Sequence, residues 1–78
     1  MLRLELINNN VNSATYNYYP EDKESYGTIS INKKDGEIEI IKLADDDESR
    51  IYLRHAVSTI EKYLRNNEFM ETDFVAWY

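Results

Sequence analysis

Through the first half of the chain, apolar side chains recur at every second position; from about residue 46 the spacing becomes helical. No other feature restricts the fold as much. Period two divides side chains between the two faces of a strand, whereas helical spacing gathers them into one stripe. "LRLELIN" sets Leu2, Leu4 and Leu6 against Arg3 and Glu5, and "SATYNYY" sets Ala14, Tyr16 and Tyr18 against Thr15, Asn17 and Tyr19. The Asn-rich stretch between these runs suits a turn, because Asn tolerates left-handed backbone. Pro20, with no N–H to give a ladder, closes the second run.

"YGTISIN" and "EIEIIKL" alternate in the same way around "KKDG". Asp35-Gly36 supplies the positive-φ residue that a short hairpin loop needs. In "ADDDESRIYLRHAVSTIEKYLRNN", Leu53, Ala56, Val57, Ile60 and Leu64 form one apolar stripe that should lie on the sheet. An Asp among residues 45–47 can cap this helix, acids crowding its first turn suit the dipole, and Asn66-Asn67 can end it. The pattern predicts an α+β fold in a single domain, residues 1–78. Its parts are a four-stranded antiparallel meander (about 2–8, 13–19, 26–32 and 37–43), one helix (about 46–66) packed on one face, and an extended C-terminal tail.

The tail poses a question of its own, because "FVAWY" carries the only tryptophan. Around the helix, Ile51 falls nearly opposite the apolar stripe, with His55 beside it and Tyr52 on the flank. A helix flank facing plain water has no use for an isoleucine. The tail should therefore fold back, as an edge strand or across the helix, because a core this small cannot leave Trp77 and Phe74 out. Should it stay free instead, Ile51, His55, Trp77 and Tyr78 would form a contact surface.

Charge and composition bound the function. The chain has 78 residues and no cysteine, so no disulfide staples it and no thiolate can act. Fifteen acids against nine bases give a net charge of −6, with ten acids and four lysines in residues 21–48. Such a field opposes nucleic-acid binding and favours a basic protein surface as partner. No apolar run is long enough for a bilayer span or a secretory leader, which points to a soluble, cytoplasmic protein with no membrane partner.

Candidate chemistry is thin. The Asp45-to-Glu48 run lacks the alternating ligands, central glycine and distant bidentate Glu of a calcium loop, so it reads as a helix start and no metal is expected. His55 is the only histidine, with Ser58 one turn on, yet no orienting group or oxyanion site accompanies it. No phosphate-cradling loop can be made from two isolated glycines. The expectation is a protein without catalytic residues or cofactor. The better lead is the sheet face away from the helix, where Glu5, Glu37 and Glu39 should point outward with Tyr19 among Thr and Asn. Carboxylates on a rigid sheet can complement a basic surface, including one built to hold nucleic acid. The alternative is a small-ligand or nucleotide site made by the aromatic residues. A meander also leaves an edge through which two copies could pair.

"YNYYPE" (16–21), Gly27 ahead of a strand, "DGEIEI" (35–40), "LRHAVSTI" (53–60) and "AWY" (76–78) together resemble small proteins of unassigned activity from Gram-positive bacteria and their phages. The resemblance spans most of the chain. It implies an α+β fold and a phage or mobile-element origin, and it carries over no functional residues. With the charge distribution, it leads to the expectation of an acidic interaction module, in its sharpest form an inhibitor of a nucleic-acid-handling host protein.

Overall fold

The computed structural model describes residues 1–45 and 47–77. Alternation produces the strands β1 (Leu2–Asn9), β2 (Ser13–Pro20), β3 (Gly27–Asn32) and β4 (Ile38–Lys42), followed by helix α1 (Ile51–Asn66) and a further strand, β5 (Thr72–Val75). All pair antiparallel in one sheet of order β4-β3-β2-β1-β5. The class is α+β as expected, but the sheet has five strands rather than four. The segment expected as an extended tail lies along β1, with Leu2 opposite Val75 and Leu4 opposite Asp73. A four-strand meander would have left the β1 backbone unpaired on that side, and β5 satisfies it.

The turns carry the chemistry that the sequence advertises. At the β3–β4 hairpin, Gly36 has φ 77° and its N–H donates to the Asn32 carbonyl at 2.8 Å. The Asn32 side-chain oxygen accepts from the amides of Lys34 and Asp35 at 2.8 and 3.3 Å. Register slips at Ile7 in β1 and at Ile41 in β4, each an extra residue between paired neighbours.

Helix α1 starts at Ile51, later than the acidic run suggested, and its first turn holds no acid. Arg50, just before it, sits in the left-handed region at φ 61°. Asp47 still does a cap's work from outside the helix. Its carboxylate is 4% exposed and accepts the amides of Tyr52 at 3.2 Å and Leu53 at 2.8 Å. Those N–H groups have no helical acceptor, so the buried carboxylate and the helix start satisfy one another. Asp46, in the same run, lies outside the described residues. At the other end Asn67 turns left-handed (φ 52°), its amide bonding the Leu64 carbonyl and the Glu68 amide the Tyr63 carbonyl.

The core lies between α1 and the sheet. Leu2, Leu4, Tyr16, Tyr18, Ile29 and Ile31 from the strands are fully enclosed against Leu53, Ala56, Ile60 and Tyr63 of the helix. Each such Leu or Ile contributes about 1.5–3 kcal/mol through burial. Two apolar side chains expected in the core stay outside it. Phe74 on β5 stands opposite Arg3 on the face away from the helix and is 56% exposed, contrary to the expectation that so small a core must enclose it. Ile40 stands opposite Ile29 on the helix side but is 49% exposed, because β4 is an edge strand lying beyond the helix's cover. Two buried tyrosines find partners: Tyr16 donates to the Met70 carbonyl at 2.6 Å, and the Tyr18 phenol oxygen accepts the Ala44 amide at 3.1 Å.

Candidate functional site: the open face of the sheet

Only one face of the sheet is covered by α1. Strand alternation, shifted by the extra residue at Ile41, therefore leaves Arg3 and Glu5, Thr15, Asn17 and Tyr19, Thr28 and Ser30, and Glu39 and Lys42 on the other face. These residues form two clusters.

The first runs across the sheet. Arg3 donates from Nε to Asp22 Oδ1 and from Nη1 to Glu5 Oε2, both at 2.5 Å, and its guanidinium lies 3.9 Å from the Tyr19 ring centre. Tyr19 packs on Tyr26 with centroids 5.4 Å apart, and Lys42 Nζ sits 4.0 Å over Tyr26. The result is a cation–aromatic–aromatic–cation row. The hydrogen bond to Asp22 raises the Arg3 pKa further, so the charge is permanent. Below the row, Thr28 donates to Asn17 Oδ1 at 2.7 Å and Asn17 donates to the Tyr19 phenol oxygen at 3.3 Å. Tyr19 is thus fixed on two sides.

The second cluster is a polar pocket of about 380 Å³ at the β3–β4 end, lined by Ser13, Ser30, Asn32, Glu37, Ile38 and Glu39. Thr15 donates to Ser30 Oγ at 3.0 Å, which steadies one wall. The Glu37 amide is held by Asp35 Oδ1 at 2.9 Å, so the residue is anchored at the mouth of the hairpin. Among the described residues neither Glu37 nor Glu39 takes part in an ion pair. Two carboxylates with hydroxyls and an amide around them form an acceptor-rich recess matched to an ammonium or guanidinium group.

Of the four residues expected on this face, Glu37 and Glu39 come together in the pocket, whereas Glu5 and Tyr19 belong to the cross-sheet row. Glu5 is neutralised by Arg3, which narrows the carboxylate surface to one end of the sheet. Arg3, Tyr26, Lys42, Ser13, Ser30 and Asn32 were not anticipated. Their signal was cross-strand: each joins the site through a neighbour on another strand, so it becomes visible only once register is known.

The helix flank serves packing. Trp77 stacks on His55 with centroids 3.8 Å apart and an 11° tilt, and meets Tyr52 edge-on at 5.5 Å. Tyr52 donates to Glu21 Oε2 at 2.7 Å, an oxygen that also accepts from the Met1 ammonium at 2.7 Å. Those two hydrogen bonds, the ammonium's first, hold the Glu21 carboxyl below the usual range. Ile51, at the helix start, is half-buried. Tyr78 lies outside the described residues. The tail therefore does both things that its sequence allowed, pairing as an edge strand and crossing the helix.

A third feature, a cleft of about 430 Å³, separates the last turns of α1 from β5, with Lys62, Asn66, Met70, Val75 and Ala76 in its walls. At its base Tyr63 donates to Asp73 Oδ2 at 2.5 Å. Burial, aided by that carboxylate, pushes the Tyr63 phenol far up, and burial pushes Tyr16 up to about 12.

Compared with protein families, curated proteins and solved structures, the chain has no match in any of the three. No helix among the described residues is long and apolar enough to cross a membrane. The protein is thus defined by its architecture, a five-stranded antiparallel α+β sheet with one bare face.

Proposed function

We propose that the protein is a non-catalytic interaction module whose bare sheet face docks a basic partner protein. The observation that carries this reading is the Glu37/Glu39 pocket, with two carboxylates unbridged among the described residues and a volume that admits a lysine or arginine side chain. Beside it, Tyr19, Tyr26 and Arg3 supply the residue types that dominate binding energy in protein interfaces. Covering the nucleic-acid-binding surface of a host protein is the sharpest form of this function, because such a surface presents the lysines and arginines that the pocket would take.

The test is to titrate the isotopically labelled protein with a short arginine-rich peptide and map amide shifts by NMR. Shifts should concentrate at Ser13, Ser30, Asn32 and residues 37–39, weaken with salt, and vanish in Glu37→Lys/Glu39→Lys while that variant's melting curve stays unchanged. Undiminished binding by the double variant overturns the reading. The cleft between α1 and β5 supports a second one, a small-ligand site, because its volume lies within the usual range for such pockets. A metabolite panel that raises the melting temperature and shifts Lys62 and Asn66 would favour it.

A further inference from the structure

The sheet has two edges, and the structure treats them differently. On β5 the amide of Phe74 faces outward and is already occupied, accepted by Asp73 Oδ1 at 2.9 Å. On β4 the Asn32 amide donates to the Glu37 carbonyl at 2.9 Å, which sets the alternation of the ladder. That alternation turns the N–H and C=O groups of Ile38 and Ile40 outward, away from β3. Around them lie Ile40, Ile41 and Leu43, which are 49%, 55% and 36% exposed. An apolar edge with outward backbone groups is a template for another strand.

We infer that β4 pairs antiparallel with β4 of a second copy, making a symmetric dimer with a ten-stranded sheet. The segment from Ile38 to Leu43 is self-complementary in that arrangement. Run against itself, it places Glu39 opposite Lys42 of the second copy, Ile38 opposite Leu43 and Ile40 opposite Ile41. By symmetry each of these pairs occurs twice. For Glu39 and Lys42 the faces agree as well as the charges. Glu39 pairs with Ser30 and Lys42 with Thr28, so both point to the bare face, whereas Ile38 and Ile40 pair with Ile31 and Ile29 on the helix side. The extra residue at Ile41 makes this possible. Without it Glu39 and Lys42, three positions apart, would lie on opposite faces. The bulge that blunts the edge against arbitrary strands thus suits it to its own copy. The dimer joins the two bare faces into one surface, but its formation does not depend on what that surface binds.

Two short strands bury less than a standard interface, so the dimer should be weak and concentration-dependent. Sedimentation velocity on the isolated protein, from about 10 μM to about 1 mM, should show monomer converting to dimer. Glu39→Lys should raise the dissociation constant about tenfold or more, because like charges then face each other at both ends. That direction is diagnostic, since the same change lowers the net negative charge and would strengthen association governed by overall repulsion. Lys42→Glu should also weaken the dimer, and Glu39→Lys/Lys42→Glu, which restores the net charge and the opposition, should recover most of the affinity. A protein still monomeric at about 1 mM, a dimer that Glu39→Lys leaves unchanged or strengthens, or a double variant no better than the singles each overturns the inference.

Discussion

Gly27 offers a sharp test of how the core is built. It opens β3 directly opposite Tyr18, and a Cβ added there would fall inside the van der Waals envelope of the Tyr18 ring, against Cε1, Cζ and the phenol oxygen. Tyr18 cannot easily step aside, since it is fully buried and its oxygen accepts the Ala44 amide at 3.1 Å. Gly27→Ala therefore forces the ring off its rotamer or the strands apart, at about 1–3 kcal/mol for overpacking. Loss of the Ala44 bond adds about 1–3 kcal/mol if that amide is left buried and unpaired. A total near 3 kcal/mol lowers the melting temperature of a domain this size by about 12–24 °C. Urea and thermal unfolding followed by circular dichroism would measure it. The same change in a Tyr18→Leu background should cost less than about 1 kcal/mol, because the ring that causes the conflict is gone. Gly27→Ala within about 0.5 kcal/mol of wild type, or an equal cost in both backgrounds, would refute the reasoning.

Asp47→Ala should destabilise the protein by about 2 kcal/mol and reduce helical ellipticity, as it strips the acceptor from the Tyr52 and Leu53 amides; unchanged stability would show that the cap is idle. Trp77→Ala should cost about 1–2 kcal/mol, less than an enclosed core aromatic, because the ring is half-buried on His55 and Tyr52; an unaltered melting curve would release the tail from the fold. Alkaline stability follows from the buried phenols. An unfolded tyrosine ionises near 10.0, whereas folded Tyr16 holds its proton to about 12 and Tyr18 and Tyr63 are also raised by burial. Above the unfolded value the unfolded chain sheds these protons first, so stability is complete below pH 10.0 and falls as pH rises toward about 12. Phenolate absorbance should show these three tyrosines ionising together with unfolding; ordinary independent titration near 10.0 would contradict their burial.

Much of the architecture was legible from local pattern. The alternating runs became β1 to β4 within a residue or two, the Asp35-Gly36 hairpin closed as its glycine required, and Leu53, Ala56 and Ile60 met the sheet. These features depend on neighbours close in sequence, and the hydrophobic period reports them directly. Glu37 and Glu39 could be placed on the face away from the helix for the same reason.

What escaped depends on residues far apart in the chain. The pairing of β5 with β1 joins the two ends, and four residues of alternation could not decide between a strand and a strap across the helix. The late start of α1 follows from a buried Asp47 and a left-handed Arg50, neither visible in propensities. Arg3 neutralises Glu5, Lys42 sits over Tyr26, and the cover of α1 stops short of Ile40 because each depends on strand order and register. Sequence alone decided which face most strand side chains take, since that is a matter of backbone period. It did not decide the bulges at Ile7 and Ile41, the second of which moves Lys42 to the bare face. Only the tertiary structure decided which strands are edges and which charges meet, since those depend on how distant segments come together in space.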